Sequence, residues 1–271
     1  MRRKFIILFI IISNICFAEY NRIIIMAPSM FEVACLLEVE NKVIGLGELG
    51  KNAVYPEEKS KEIKKLGNPF RPSIEKIIGE NPDLVIVNDG INFPVEELRK
   101  RNIKVVSFST KRIGDIFNNI KKFGKLVEKE KEAKKIVEQE KKKLAYLKKS
   151  EKTGIKGIFI YSTAPLMAFN EKSLPGDILE LLGIENIGKD LRGEKPIIGL
   201  EYLIKENPDF IVGIMAVKSV EELKKAIPMI EYTNAGKNGN IFLFDAELIY
   251  INSPRMIEGI EEFQKKIEKI K

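Results

Sequence analysis

The sequence predicts an α/β protein of two Rossmann-like lobes with parallel sheets, joined by a single long interlobe helix. Three observations carry that prediction. A phrase of helix, proline break and apolar strand occurs twice, as IEKIIGENPDLVIV at 74–87 and LEYLIKENPDFIVG at 200–213. Short apolar runs alternate with amphipathic helical stretches on both sides of a central segment. That segment, Asp115–Lys149, has no proline and one internal glycine, Gly124.

Residues 1–18 stand apart. Arg2, Arg3 and Lys4 make a positive start, Phe5–Phe17 is apolar except at Ser13 and Asn14, and Ala18 offers a small residue for cleavage. The apolar run is short of the roughly 20 residues of a membrane span, so it reads as a secretory signal peptide cut after Ala18. Lipid attachment at Cys16 is less well supported, because Ile15 stands where a lipobox wants a small residue. Cys35 then remains alone, without a disulfide partner, and reads as a small hydrophobe in Val33–Leu37. The mature protein is expected free in the periplasm.

In the N-terminal lobe, at 19–114, the strands are expected at Arg22–Met26, Lys42–Gly45, Leu84–Val87 and Lys104–Phe108. Helices fall between them at Phe31–Leu37, Ser73–Gly79 and Val95–Arg101. Leu84–Val87 is apolar throughout, as a strand buried on both faces should be. The interlobe helix, at 115–150, keeps apolar residues at roughly helical spacing from Ile116 to Leu147. Gly124 allows a short helix to hand over to a long one near Glu128. In the C-terminal lobe, at 151–271, strands are expected at Gly157–Tyr161, Phe210–Ile214 and Ile241–Phe244. Helices fall at Gly176–Leu182, Leu200–Lys205, Val220–Ala226 and Arg255–Ile270. In each copy of the repeat, a proline (Pro82, Pro208) stops the helix and pushes the preceding asparagine toward extended geometry. Glu75 and Glu201 sit early in their helices, where acids suit the positive dipole end.

Composition narrows the function. The formal charge of +7 includes the leader's three cations. The remaining excess lies partly in Lys121–Lys149 among interspersed acids, a solvated face rather than a nucleic-acid stripe. With no histidine in the chain, histidine metal sites and histidine general bases are excluded. There is no G-x-S-x-G elbow, and no catalytic residue, metal ligand or cofactor is assigned; an exported two-lobed enzyme that works with carboxylates alone stays as the lesser alternative. Gly45-x-Gly47-x-x-Gly50 spells a dinucleotide fingerprint, but Lys51–Pro56 makes a poor first helical turn, so a cleft-edge loop is the better reading.

In order along the chain, RIIIMAPSMFEVACLLEVENKVIGL, Tyr55–Pro56, SIEKIIGENPDLVIV, LPGDILELLGIENI, GLEYLIKENPDFIV and the terminal SPR resemble one family. It is that of the ABC-importer substrate-binding proteins for iron–siderophore complexes, haem and cobalamin. The resemblance implies a ligand cleft between two lobes bridged by one long helix, no enzymatic activity, and monomeric action. It also implies a membrane permease as partner, docked through Glu75 and Glu201.

Cleft residues should come from loops beyond the C-terminal ends of the strands. That rule points to Tyr55, Phe70, Tyr161, Met167, Phe169 and Tyr250 as apolar and aromatic walls, and to Arg71, Arg192 and Lys195 as positive charge. Cobalamin binders of the family tend to use several tryptophans, and this chain has none. Haem binders usually place a tyrosine or histidine just before the first repeat, where this chain reads Gly67-Asn68-Pro69-Phe70-Arg71. The resemblance therefore ranks a ferric siderophore first, haem second and cobalamin third.

Overall fold

A computed structural model describes residues 20–48, 54–109, 111–149, 151–193, 195–245, 249 and 253–270. The leader and Tyr250 lie outside the described residues. The N-terminal lobe runs β1 (Ile23–Ile25), α1 (Met30–Leu36), β2 (Val43–Leu46), α2 (Glu57–Ser60), β3 (Lys64–Lys65), α3 (Ile74–Gly79), β4 (Leu84–Asn88), α4 (Val95–Arg99) and β5 (Lys104–Phe108). Its sheet is parallel throughout, in the order β3-β2-β1-β4-β5. Two helices follow, α5 (Ile113–Leu126) and α6 (Glu130–Leu147). The C-terminal lobe runs β6 (Lys156–Thr163), β7 (Leu166–Ala168), α7 (Leu174–Leu181), β8 (Glu185–Asn186), α8 (Leu200–Glu206), β9 (Phe210–Gly213), α9 (Val220–Ala226), α10 (Asn234–Lys237) and β10 (Ile241–Leu243). Helix α11 (Arg255–Ile267) ends the described fold.

The second sheet has the order β10-β9-β6-β7, with β8 also on β6. It departs from the prediction at one place. β7 pairs antiparallel with β6, while β6–β8, β6–β9 and β9–β10 are parallel. The Ala164–Pro165 corner returns the chain directly alongside β6, and three residues are too few for the strand to show in a periodicity.

The E-N-P-D repeat does the same structural work in both lobes. Asp83 Oδ1 and Oδ2 accept from the Arg22 N–H, at 3.1 Å each, at the entry to β1. Asp209 Oδ2 accepts from the Lys156 N–H at 2.8 Å, at the start of β6. Backbone bonds return from the Asp83 N–H to Arg22 and from the Asp209 N–H to Lys156. Each aspartate thus pins the first strand of its lobe beside the repeat's own strand. The asparagines depart from expectation. Asn81 and Asn207 have φ of 48° and 50°, in the left-handed region rather than extended. The proline disfavours only the right-handed region for its predecessor, and asparagine enters the left-handed one at low cost.

The predicted interlobe helix is two helices folded back on each other. The Lys141 Nζ lies 5.6 Å from the centre of the Phe117 ring. One unbroken helix would hold those residues roughly 36 Å apart. The fold-back is tight: a Cβ on Gly124 would stand 2.4 Å from that of Ala133 and 2.9 Å from the Lys129 carbonyl. Helix α5 belongs with the first sheet, where Lys122 Nζ donates to the Ser107 carbonyl at 2.8 Å. Helix α6, about 27 Å long at 1.5 Å per residue, makes the crossing.

Alternation along the strands divides the core. In the first lobe, Ile24, Met26, Val85 and Val87 face a layer with Ile77 and Leu98. In the second, Ile158, Ile160 and Ile211 face Leu203 and Leu223. The opposite faces, with Ile23, Ile25, Phe159 and Phe210, join one continuous cluster that runs through α5, α6 and α11. One apolar layer therefore backs both lobes.

Candidate functional site: the interlobe cleft

By the switch-point rule a ligand is expected beyond the C-terminal ends of the strands, beside the loops after β1, β4, β6 and β9, where the strand order reverses. The second lobe brings part of the predicted set together. The Tyr161 ring, near the end of β6, lies under Lys195, with Nζ 4.3 Å from its centre. Met167 on β7 bridges to Ile197, which is 69% exposed. The turn that carries Arg192 and Lys195 is held by buried Asn170, whose Nδ2 donates to the Leu191 carbonyl at 2.9 Å and to that of Gly193. Lys195 is thereby a cation held against an aromatic wall, an arrangement favourable to anions.

Phe169 is corrected. It is 1% exposed and packs edge-on behind Tyr161 at 5.6 Å. It follows Ala168, the last residue of β7, and its side chain joins the apolar cluster that backs both lobes. It supports the wall and does not line it.

In the first lobe Tyr55 and Phe70 are 49% and 61% exposed. Phe70 sits on a turn closed by its N–H bond to Asn68 Oδ1 at 2.8 Å. The exposed Arg71 and Arg192 side chains have no ion pair among the described residues. Glu75 and Glu201 are exposed in the first turns of α3 and α8. They occupy equivalent places in the two lobes.

Four residues outside the predicted set shape the junction between the lobes. Arg255, at the start of α11, has its guanidinium 3.7 Å over the Tyr55 ring. Its Nε donates to Glu32 Oε2 at 2.6 Å. Burial of Glu32 raises its pKa above the ordinary value of 4.5, and Arg255 opposes that rise. Arg112 reaches across to α7, with Nη2 2.6 Å from Asp177 Oδ1. In sequence, Glu32 looks like one acid inside an apolar run, and nothing there identifies its partner.

Catalytic groups are scarce. Among the described residues no cluster of three histidine, cysteine or acidic side chains could hold a metal. Burial, with Glu40 nearby, pushes the Cys35 thiol up to about 11, so it stays protonated and unreactive. The glycines of the apparent fingerprint have packing roles. A Cβ on Gly45 would meet Leu66 at 2.5 Å and one on Gly47 would meet Pro69 at 2.9 Å. Gly50 lies outside the described residues. A cavity of about 430 Å³ in the second lobe is lined by Lys152, Glu171, Glu180, Glu185, Asn186 and Lys189 among others. It contains none of the predicted ligand residues, and strand polarity argues for the cleft instead.

Comparison with known proteins decides the class. A family model described as periplasmic binding protein matches residues 23–248. The chain belongs to that family. A vitamin B12-binding protein of Vibrio vulnificus is 24% identical over 250 residues, covering 90% of this chain and 89% of that one. Two solved structures share the fold. The periplasmic haem-binding protein of Roseiflexus sp. RS-1 has a TM-score of 0.77 at 19% identity, over 91% of this chain and 97% of that one. A structure described as an ABC-type Fe3+-hydroxamate transport system, from Saccharomonospora viridis, has a TM-score of 0.72 at 20% identity, over 92% and 93%. As a periplasmic binding protein this chain is a solute-binding component of an ABC importer and not an enzyme.

Proposed function

We propose that the protein captures a ferric siderophore in the interlobe cleft and delivers it to the permease of an ABC importer. The observation that carries this reading is the second-lobe wall of Tyr161, Met167 and Lys195, with Arg192 exposed in the same lobe and Arg71 exposed on the first. Aromatic and thioether surface with cations suits a bulky anionic chelate, which needs no protein–iron bond. The absence of histidine and tryptophan counts against the haem and cobalamin modes inferred from the family. The names of the relatives keep haem and cobalamin as the second reading. Export by the leader would place the protein in the periplasm. Among the described residues no helix is long and apolar enough to cross a membrane.

Native mass spectrometry of protein purified from cells tests the ligand. An iron-chelate adduct is expected, and a haem or corrinoid mass would replace the first reading with the second. The permease contact is tested separately with Glu75→Ala/Glu201→Ala. Ligand affinity should stay unchanged while uptake into permease-containing vesicles falls by roughly tenfold or more, since paired charges set docking register and on-rate. Wild-type uptake by that variant would remove both residues from the docking surface.

A further inference from the structure

We infer that Arg255 and Arg112 are positioning residues, which tie the two lobes together at separate points and thereby set the geometry of the cleft. The inference stands on their contacts alone and does not depend on which ligand binds.

Arg255 ties the first lobe to a helix rooted in the second. The root is Phe263 of α11, which packs on Phe159, Phe210 and Phe244 at ring distances of 5.0, 6.1 and 5.2 Å. The first residue of the same helix reaches Glu32 in α1 and Tyr55 after β2. Glu32 is only 5% exposed, so its carboxylate is committed to this contact. A guanidinium presents a donor edge to the carboxylate and a flat face to the ring at once, and a lysine cannot do both.

Arg112 makes the reverse tie, from the first lobe to the second. It precedes α5, which Asn119 and Lys122 hold to the end of β5. Its Nη1 donates to the Glu171 carbonyl at 2.8 Å, and its Nη2 lies 2.6 Å from Asp177 Oδ1 and 3.7 Å from Glu180 Oε2. The next residue adds a bond, from the Ile113 N–H to Asp177 Oδ2 at 2.7 Å.

Helix α6 and the apolar layer behind the sheets join the lobes along one side, which leaves twist about that side as the softest motion. One further tie leaves an axis of rotation, and a second on different elements removes that axis. Both arginines are also consumed by these contacts. Of the arginines and lysines assigned to the cleft or the junction, that leaves Arg71, Arg192 and Lys195 for an anionic ligand.

The test reads the distance between lobes in ligand-free, full-length protein. Spin labels are placed at Glu97→Cys on α4 and Lys224→Cys on α9, with Cys16→Ser and Cys35→Ser, and measured by pulsed electron paramagnetic resonance. The parent should give one narrow distribution. Glu32→Gln/Arg255→Gln/Arg112→Ala removes both arginine ties, keeps only the Ile113 N–H bond to Asp177 at the second, and leaves no buried carboxylate unpaired. It should give a distribution that is broader and shifted by several ångströms, with unchanged circular dichroism. Arg255→Lys, which keeps the charge but loses the flat face, should fall between parent and released protein. A folded triple variant whose distribution superimposes on the parent's overturns the inference. Should the triple variant not fold, Arg112→Ala and Glu32→Gln/Arg255→Gln are read separately, and narrow parental distributions in both overturn it.

Discussion

Glu32 shows how a buried charge can fix a geometry without adding stability. Its pKa is raised because burial disfavours the carboxylate more than Arg255 and Ser253 favour it, with Glu258 adding repulsion. The folded protein therefore holds this proton more tightly than the unfolded chain does. Below the unfolded value near 4.5 the group is protonated in both states and costs nothing. As pH rises through the raised folded value a penalty develops, and it persists at neutral pH. Glu32→Gln should consequently be at least as stable as wild type at pH 7, and any gap should close toward pH 4. Urea unfolding at the two pH values checks this. A variant less stable at pH 7 would mean that Arg255 outweighs the burial. Single residues of this kind were the least legible in the sequence. Tyr161, Met167 and Lys195 are expected from the strand-end rule, and the first two stand within β6 and β7 rather than in a loop, whereas the Glu32–Arg255 contact joins residues 223 apart. Phe169 was misplaced because its packing on Tyr161 and the apolar cluster behind it depends on residues distant in sequence.

Among the elements, the repeat was the most legible and the interlobe segment the least. Proline and aspartate act locally, through a helix stop and a bond to the neighbouring strand's backbone, so the two copies announce two lobes. Amphipathic spacing across Asp115–Lys149 survives a fold-back, because each helix still buries one face, and periodicity cannot report the turn between them. Gly124 was noted as a handover point, but its reason is the contact with Ala133. Gly124→Ala should cost about 1–3 kcal/mol, because the 2.4 Å approach forces α5 and α6 apart. Gly79→Ala in α3 is the control, since a Cβ there meets nothing within 4 Å; it should be neutral or gain about 0.5–1 kcal/mol. Chemical denaturation of both variants separates close packing from helix propensity. Equal stabilities would show that the hairpin tolerates the added methyl.

At the scale of the whole molecule the question is how far the lobes move when ligand enters. The sequence made two lobes legible, but neither the fold-back before the crossing nor the layer behind them. That layer depends on α11 and on sheet faces that alternation alone does not assign to a common side. Three features oppose large closure. Helix α6 resists bending along its length, the shared apolar cluster would have to be torn open behind the cleft, and the Arg112 and Arg255 contacts bridge the lobes at the cleft. Breaking the shared layer would expose apolar surface at roughly 25 cal/mol per Å², so several hundred square ångströms would cost several kcal/mol. A ligand can shift the equilibrium only by its differential affinity for the two states. Capture should therefore proceed mainly by rearrangement of side chains and loops. Small-angle scattering curves recorded with and without excess ferric hydroxamate chelate should nearly superimpose, with equilibrium dialysis of the iron confirming occupancy. A fall of several ångströms in the radius of gyration on binding would sink this expectation and place a hinge within the crossing itself.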